Sequence, residues 1–360
     1  MAYSSRAATS IDLFVSEIIA HSRFRNAVIA EFSEPRLAAE RVIDLPRYGF
    51  ANSLRRTGFV AQAVKEIDPA VLVVQQHLPT AAAIAARVGC PVVMQKHNFI
   101  KAPKTGTLIG RLGKARHVRQ FNSLAGLTLV SETVKADFEA HWPEVTVLRC
   151  VVPNGIETTL WLPAREREKT VLVVGRAAPE KGTLEAAEAL AVVLMQHPDW
   201  TATFIMSEPG RFKDYCDRVM AALAPLGPRA IVKLSVPFAE VKAANERAAI
   251  ALIPSKWHEP FGRTCLEAHA GGAAVISSGS GGLREISGGE AVFLAAVEGG
   301  AIVQAVDALI RDDAMRERLA AGARARVLKL FDLRAVAGVL DDFCAEIMGA
   351  MRSANFPVRE

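Results

Sequence analysis

Short runs of β-branched and aliphatic residues alternate along the chain with longer segments whose apolar positions recur every three or four residues. The clearest runs in the first half are Ala70–Gln75 before a helical Pro79–Val88, Pro91–Gln95, Gly126–Val130 before Glu132–His141, and Val145–Val151. A second series holds Lys169–Val174 before Thr183–Gln196, Thr201–Met206 before Arg211–Leu226, Ala230–Leu234, Ile250–Ile253 and Ala273–Ser277. These runs are apolar throughout, as strands covered on both faces are. Their alternation with helices predicts parallel sheets flanked by helices. One doubly wound sheet of five or six strands uses about 150 residues, so the pattern needs two. The expected fold is α/β, with two Rossmann-like doubly wound domains facing one another across a cleft. Residues 1–152 form the first domain and 153–334 the second, and a helix at 335–360 packs back towards the first. Val152–Glu168, with Pro153, Gly155, Pro163 and a run of charges, reads as the linker, and Ala314–Met351 is helical by periodicity. The chain opens Met1-Ala-Tyr-Ser-Ser-Arg6 and enters a helix at Ile11–His21, so the first strand of the first domain and its glycine-rich turn are expected to be missing.

Composition narrows the class. The 360 residues are 51% hydrophobic and 22% charged, an ordinary globular balance for two domains. No apolar run reaches the roughly 18 residues that span a bilayer, and the first 25 residues lack the order of a signal peptide. Five scattered cysteines (Cys90, Cys150, Cys216, Cys265 and Cys344) fit reduced thiols rather than disulfides or zinc, so the expected compartment is the cytoplasm. The net charge of +5 is unevenly spread: residues 1–150 hold 19 Lys/Arg against 12 Asp/Glu. Lys96–Arg119 alone has seven Lys/Arg, two His and no acid, which suits a phosphate or an anionic surface as well as a solvated helix face. A helix over Lys101–Leu124 would carry Leu108, Ile109, Leu112, Phe121 and Leu124 on one side and Arg111, Lys114, Arg116 and Arg119 on the other. No aromatic stacking platform accompanies the charges, so nucleic acid is not the expected partner.

Three local constellations can carry chemistry. The first, Val171-Leu-Val-Val-Gly175-Arg176 followed by Lys181-Gly182-Thr183, is a strand, a loop with two cations and a helix start. Arg176 and Lys181 there would flank the positive end of a helix and suit a diphosphate. The second is His258-Glu259-Pro260-Phe261-Gly262, with Glu267 in the helix that follows. Carboxylates so placed can accept bonds from sugar hydroxyls, and N–H groups near Phe261–Arg263 are free to meet an anion. The third, Gly279-Ser-Gly281-Gly282-Leu-Arg-Glu285, is a glycine-rich loop directly after a strand. Each alone is also an ordinary turn. No Walker motif, HExxH, zinc spacing or Asp-x-Asp occurs, so neither a metal nor a cofactor is expected.

In this order and spacing the residues resemble the retaining GT-B glycosyltransferases of group 1 (GT4), over roughly Pro69–Phe343. Pro153-Asn154-Gly155 is similar to the family's PNG junction, Gly175-Arg176 with Lys181-Gly182 to its GR…KG, Pro254-Ser255 with Glu259-Pro-Phe-Gly262 and Glu267-Ala to its E-x7-E signature, and Gly281-Gly282 with Glu285 to its GG…E. The resemblance implies that Arg176 and Lys181 neutralise the leaving nucleotide diphosphate, with Glu259 near the donor sugar and Glu267 on the ribose. It also implies that Gly175, Phe261, Gly262, Gly281 and Gly282 bring backbone to the donor, and that His97 ends a first-domain strand facing the sugar; His77 is a weaker candidate. The implied reaction passes a sugar from a nucleoside-diphosphate sugar to an acceptor hydroxyl with retention and without metal, the departing phosphate taking the acceptor proton. The acceptor side falls in the basic domain. Lys101, Arg111, Lys114 and Arg119 therefore suggest a lipid-linked or saccharide acceptor at the inner face of a cytoplasmic membrane, in lipopolysaccharide, exopolysaccharide or other glycolipid assembly. The sequence departs from the family twice. Ser4–Thr9 has no glycine pair, and Val232–Phe238 lacks the glycine usual before the next helix. A catalytically degenerate nucleotide-sugar-binding scaffold and a nucleotide-sugar epimerase are the alternatives.

Overall fold

A computed structural model describes residues 2–3, 10–32, 41–46 and 53–354. It divides into two compact units, Met1–Gly155 with Leu333–Glu360, and Ile156–Asp332. The second unit is thus a few residues shorter at each end than the expected 153–334.

The first unit runs β1 (Ala2–Tyr3), α1 (Ser10–Ile19), β2 (Ala27–Phe32), β3 (Arg41–Asp44), α2 (Ser53–Ile67), β4 (Leu72–Gln75), α3 (Leu78–Ala85), β5 (Val92–Lys96), α4 (Leu108–Asn122), β6 (Gly126–Leu129), α5 (Glu132–His141) and β7 (Leu148–Val151). Its strands form two parallel sheets, β1-β2-β3 and β4-β5-β6-β7. The expected missing first strand is corrected here: β1 is a two-residue stub, paired Ala2 to Glu31 and Tyr3 to Phe32. Ser4–Thr9, where the glycine pair was expected, lies outside the described residues. The helix expected from Lys101 begins only at Leu108, because the Thr107 side chain accepts a bond from Gly110 N and sets the N-cap there.

The second unit contains β8 (Glu168–Arg176), α6 (Thr183–Val193), β9 (Thr201–Ser207), α7 (Lys213–Leu223), β10 (Ala230–Leu234), α8 (Phe238–Arg247), β11 (Ala248–Ile253), α9 (Arg263–Ala270), β12 (Ala274–Ser277), α10 (Leu283–Ser287), β13 (Val292–Phe293), α11 (Gly299–Arg311) and α12 (Asp313–Leu330). Its six strands are all parallel, in the order β10-β9-β8-β11-β12-β13. All six residues of β11 are buried, as its unbroken apolar run requires of a central strand. One core joins Val171 and Val173 of β8, Phe204 of β9 and Ile250 and Leu252 of β11 to Leu190 of α6, Val219 of α7 and Leu309 of α11. The order reverses between β8 and β11, and the crevice at the carboxyl ends of those strands is where such sheets receive ligands.

Val152–Glu168 is not a free linker. It holds a single helical turn at Thr158–Leu160, buries Trp161, and ties Ala164 N to Glu246 O at 2.8 Å. The stretch Ala314–Met351, helical by periodicity, is two helices. It breaks at Phe331-Asp332, where Ile156 N donates to Phe331 O at 2.9 Å and Thr158 Oγ1 to Asp332 Oδ2 at 2.5 Å. The second piece, α13 (Leu333–Ala354), belongs to the first unit. Phe343 and Ile347 pack against Val93, and Val336 and Ala337 against Phe14, Ile18 and Val152. β6 opens with Gly126 because any Cβ there would lie 2.5 Å from Ile347 Cδ1. Asp341 fixes the register of α13 by accepting from Ser22 Oγ and Arg23 N, both at 2.7 Å. Among the described residues no helix is long and apolar enough to cross a membrane. Phe343→Ala should leave a cavity under β5 and destabilise the first unit by about 3–5 kcal/mol; urea unfolding, with the exposed Val339→Ala as control, reads the loss.

Candidate active site

The three constellations of the second unit meet at the carboxyl ends of β8, β11 and β12. Beyond Arg176 the chain makes one turn, Pro179–Lys181, and enters α6 through Gly182. Gly182 has φ +67°, and a Cβ on it would fall 2.0 Å from Pro254 O, so only glycine lets this turn touch the loop after β11. Two further bonds join the same loops: Lys256 N and Trp257 N donate to Glu180 O at 2.9 and 3.1 Å. The helix start, with its positive end, is thereby held against Pro254–Trp257.

Glu259 stands at the centre. Its side chain is only 11% exposed, and Oε1 accepts from Lys181 Nζ at 2.5 Å and from Ser255 Oγ at 2.7 Å. Both bonds fall on one oxygen, so Oε2 is the atom left for a ligand hydroxyl. The backbone of Glu259 supports the glycine-rich loop, since Gly282 N donates to Glu259 O at 2.8 Å. A Cβ on Gly281 would lie 2.1 Å from Glu259 O, and one on Gly282 would lie 2.7 Å from Phe261 Cα. Gly262, at φ +112°, admits no side chain because Leu283 Cδ2 occupies the space 2.3 Å away. The phenyl ring of Phe261 is buried edge-on to Phe331, with centroids 5.9 Å apart, so only its backbone is available to a ligand. A small open cavity of about 30 Å³ lies here, lined by Gly175, Lys181, Thr183, Ser255, Glu259 and Thr264 among others. A Cβ on Gly175 would come no closer than 4.0 Å to Lys181, so packing does not dictate that glycine.

The two cations arrive with partners. Arg176 Nη2 pairs with Glu180 Oε1 at 2.9 Å, as Lys181 does with Glu259. Glu180 carries no motif of its own, and its one signal in the sequence is its spacing four residues after Arg176. Glu267 is buried in α9 and accepts from Arg263 Nε at 3.1 Å, one helical turn away. Behind it, His269 Nε2 and Ser287 Oγ lie 2.9 Å apart, with Cys265 Sγ 3.4 Å from the same hydroxyl. Burial pushes His269 down to about 3 and the Cys265 thiol up to about 12, so both stay neutral and serve to fasten α9 to α10. Ser235, in the stretch lacking the usual glycine, adopts φ +51° itself; serine takes the left-handed turn there at some cost in strain. Among the described residues no cluster of His, Cys, Asp and Glu could hold a metal ion.

The remaining candidates lie in the first unit. His97 Nε2 is 2.9 Å from Gln75 Oε1, and its ring meets Phe14 edge-on at 5.1 Å. Burial pushes His97 down to about 4, with a bond to the Asn154 side chain opposing and the Lys96 charge assisting, so the ring is neutral near pH 7. His77 caps α3, its Nδ1 accepting from Thr80 N at 3.3 Å. In α4 the expected apolar stripe divides. Phe121 is buried and Leu124 just beyond it is too, whereas Leu108, Ile109 and Leu112 are 73%, 83% and 63% exposed. Lys101 and Arg119 are exposed, Arg111 reaches Thr105 O at 3.3 Å, and Lys114 pairs with Glu144.

Gly182→Ala should lower the midpoint of thermal unfolding, because the methyl would strike Pro254 O at a positive φ. Gly300→Ala, in open space within α11, should raise it slightly. Parallel thermal melts of the two variants decide the matter.

Residues 162–326 match the family described as "Glycosyl transferases group 1". Glycogen synthase of Mycobacterium tuberculosis is 30% identical over 276 residues, covering 71% of this chain and 63% of that protein. The lipopolysaccharide core biosynthesis mannosyltransferase LpcC of Rhizobium leguminosarum is 27% identical over 218 residues, covering 56% of this chain and 61% of that protein. The chain therefore spans less than two thirds of the length of these curated relatives. Among solved structures, sucrose-phosphate synthase from Thermosynechococcus elongatus aligns at TM-score 0.72 and 17% identity, over 97% of this chain and 96% of that one. Anabaena HepE, in complex with UDP and glucose, aligns at TM-score 0.72 and 18% identity, over 95% and 98%. The chain has the α/β fold of the GT-B glycosyltransferases, and residues 162–326, within its second unit, match glycosyltransferase group 1.

Proposed function

We propose that the protein is a retaining glycosyltransferase of the GT4, E-x7-E type. It would move a sugar from a nucleoside-diphosphate sugar to an acceptor hydroxyl. The observation that carries this reading is the Lys181–Glu259–Ser255 cluster, set beside the α6 N-terminus at the point where the strand order reverses. In the reaction the bond from the anomeric carbon to the diphosphate oxygen breaks and a bond from that carbon to the acceptor oxygen forms on the same face. The acceptor proton passes to the departing phosphate. Negative charge thus grows on the diphosphate, where Arg176 and Lys181 oppose it without a metal and the backbone at Phe261-Gly262 and Gly281 adds donors, Gly282 N being held by Glu259 O. Glu259 Oε2 would hold a donor-sugar hydroxyl, Glu267 the ribose, and His97 would contribute as an uncharged imidazole.

The acceptor we infer is saccharide or lipid-linked, in lipopolysaccharide, exopolysaccharide or other glycolipid assembly; the name of the LpcC relative supports this choice. The exposed Leu108, Ile109 and Leu112, with Lys101, Arg111, Lys114 and Arg119 around them, suit peripheral attachment to an anionic bilayer. We infer from this an attachment at the inner face of the cytoplasmic membrane.

Lys181→Met should lower kcat/KM about 100- to 1,000-fold, the usual loss on removing one charge-stabilising donor. UDP, GDP or ADP should raise the melting temperature of the native chain, and Glu267→Ala should abolish the rise. No shift with any nucleotide would favour a scaffold without activity. Reversal of Arg111, Lys114 and Arg119 to Glu should abolish co-sedimentation with phosphatidylglycerol vesicles while leaving the nucleotide shift intact; equal binding would remove the membrane assignment.

A further inference from the structure

A row of polar side chains crosses the sheet of the first unit and leads to His97. Gln75 of β4 and Gln95 of β5 are register partners, and Thr128 of β6 is next in line. Strand alternation puts them on the face whose earlier positions, Val73 and Val93, pack with Phe343 and Ile347. Gln75 Nε2 donates to Gln95 Oε1 at 3.0 Å, and Gln75 Oε1 lies 2.9 Å from His97 Nε2. The backbone clamps the row where β4 ends: Gln76 N donates to Gln95 O at 2.8 Å, with Gln76 itself strained at φ +64°. Phe14, edge-on to the imidazole, packs against the ring.

Two amides are costly in an apolar sheet face. Gln95 is only 2% exposed, and its Nε2 is buried without a partner, as is Thr128 Oγ1 on the next strand. Aliphatic side chains would fill the same space with nothing left unpaired. Among the described residues, the one further polar contact of the two amide side chains is His97. That ring is neutral near pH 7, its pKa pushed down to about 4 chiefly by burial, so one nitrogen carries a proton and the other a lone pair. Gln75 decides which. Its carbonyl faces Nε2 while its amide nitrogen is committed to Gln95, so the proton belongs on Nε2. Asn154, the ring's other side-chain partner, can present either end of its amide and so follows that choice.

We propose that Gln75, held in turn by Gln95, is a positioning residue that fixes His97 in its Nε2–H tautomer and keeps Nδ1 as a hydrogen-bond acceptor. An imidazole so held receives a bond from a substrate hydroxyl and cannot give one through Nδ1. That His97 meets a substrate rests on the glycosyltransferase reading; its tautomer rests on the first unit's own geometry.

Nitrogen NMR of the full chain carrying isotope-labelled histidine tests it, with His97 assigned among the eight histidines by its loss in His97→Asn. In the native chain His97 should show a protonated Nε2 and a bare Nδ1. Gln75→Leu should move the proton towards Nδ1 or divide it between the two nitrogens. Gln75→Glu, which can only accept, should keep it on Nε2. The double variant Gln75→Leu/Gln95→Leu should melt no lower than the native chain, because the buried amides leave together, yet lose the Nε2–H form in the same way. In Gln75→Leu and the double variant kcat/KM should fall about tenfold, with the nucleotide-induced melting shift intact. A native His97 protonated on Nδ1, a tautomer indifferent to Gln75→Leu, or full kcat/KM in a variant whose tautomer has shifted overturns the proposal. Failure of the glycosyltransferase reading looks different: the native chain would show neither transfer nor a nucleotide shift, while Gln75→Leu still moved the proton.

Discussion

A carboxylate shielded from water has to find its compensation inside the protein, and Glu259 finds it where three loops meet. Leaving such a charge unpaired would cost several kcal/mol, so the ammonium of Lys181 and the hydroxyl of Ser255 are conditions of the fold as much as parts of a site. Bringing them to one oxygen requires the turn after β8 to touch the loop after β11, which Gly182 permits. It also requires the loop after β12 to lie on the backbone of Glu259, which Gly281 and Gly282 permit. Those contacts exist only because β8, β11 and β12 are neighbours in the sheet. Strand order, three bare Cα atoms and one ion pair are therefore a single constraint.

The same arrangement shapes the field that an incoming anion meets. Arg176 and Lys181 each sit against a carboxylate, so the pocket is close to neutral before a ligand arrives. Its attraction for a diphosphate would come from short-range donors and the end of α6 more than from a broad positive potential. Such a site discriminates by geometry, since direction matters more than charge alone.

Much of the second unit was legible in the sequence. Its strands are unbroken apolar runs, its turns are marked by glycine, and the three constellations are local patterns that the sheet then gathers. What escaped was non-local. The carbonyl of Glu180 that receives Lys256 and Trp257, and the anchoring of Phe331-Asp332 by Ile156 and Thr158, leave no trace in periodicity. The stripe of α4 misled for the opposite reason. Its spacing is regular, yet Phe121 is buried and Leu108, Ile109 and Leu112 are not. Period shows which residues share a face, and only neighbours decide whether the face is covered. Ser235 shows that the left-handed conformation usually given to glycine can be imposed on another residue when the turn is fixed at both ends.

The return of α13 to the first unit has a kinetic consequence. Residues 156–332 form one unbroken stretch of chain, whereas the core around Val93 is completed by Phe343 and Ile347, some 250 residues later. On a ribosome the later unit can therefore fold to completion while the earlier one still waits for its last helix, and loop closure over that span is slow. The nascent first unit has to survive with the face under α13 bare, a stretch of synthesis in which chaperones have the most to protect.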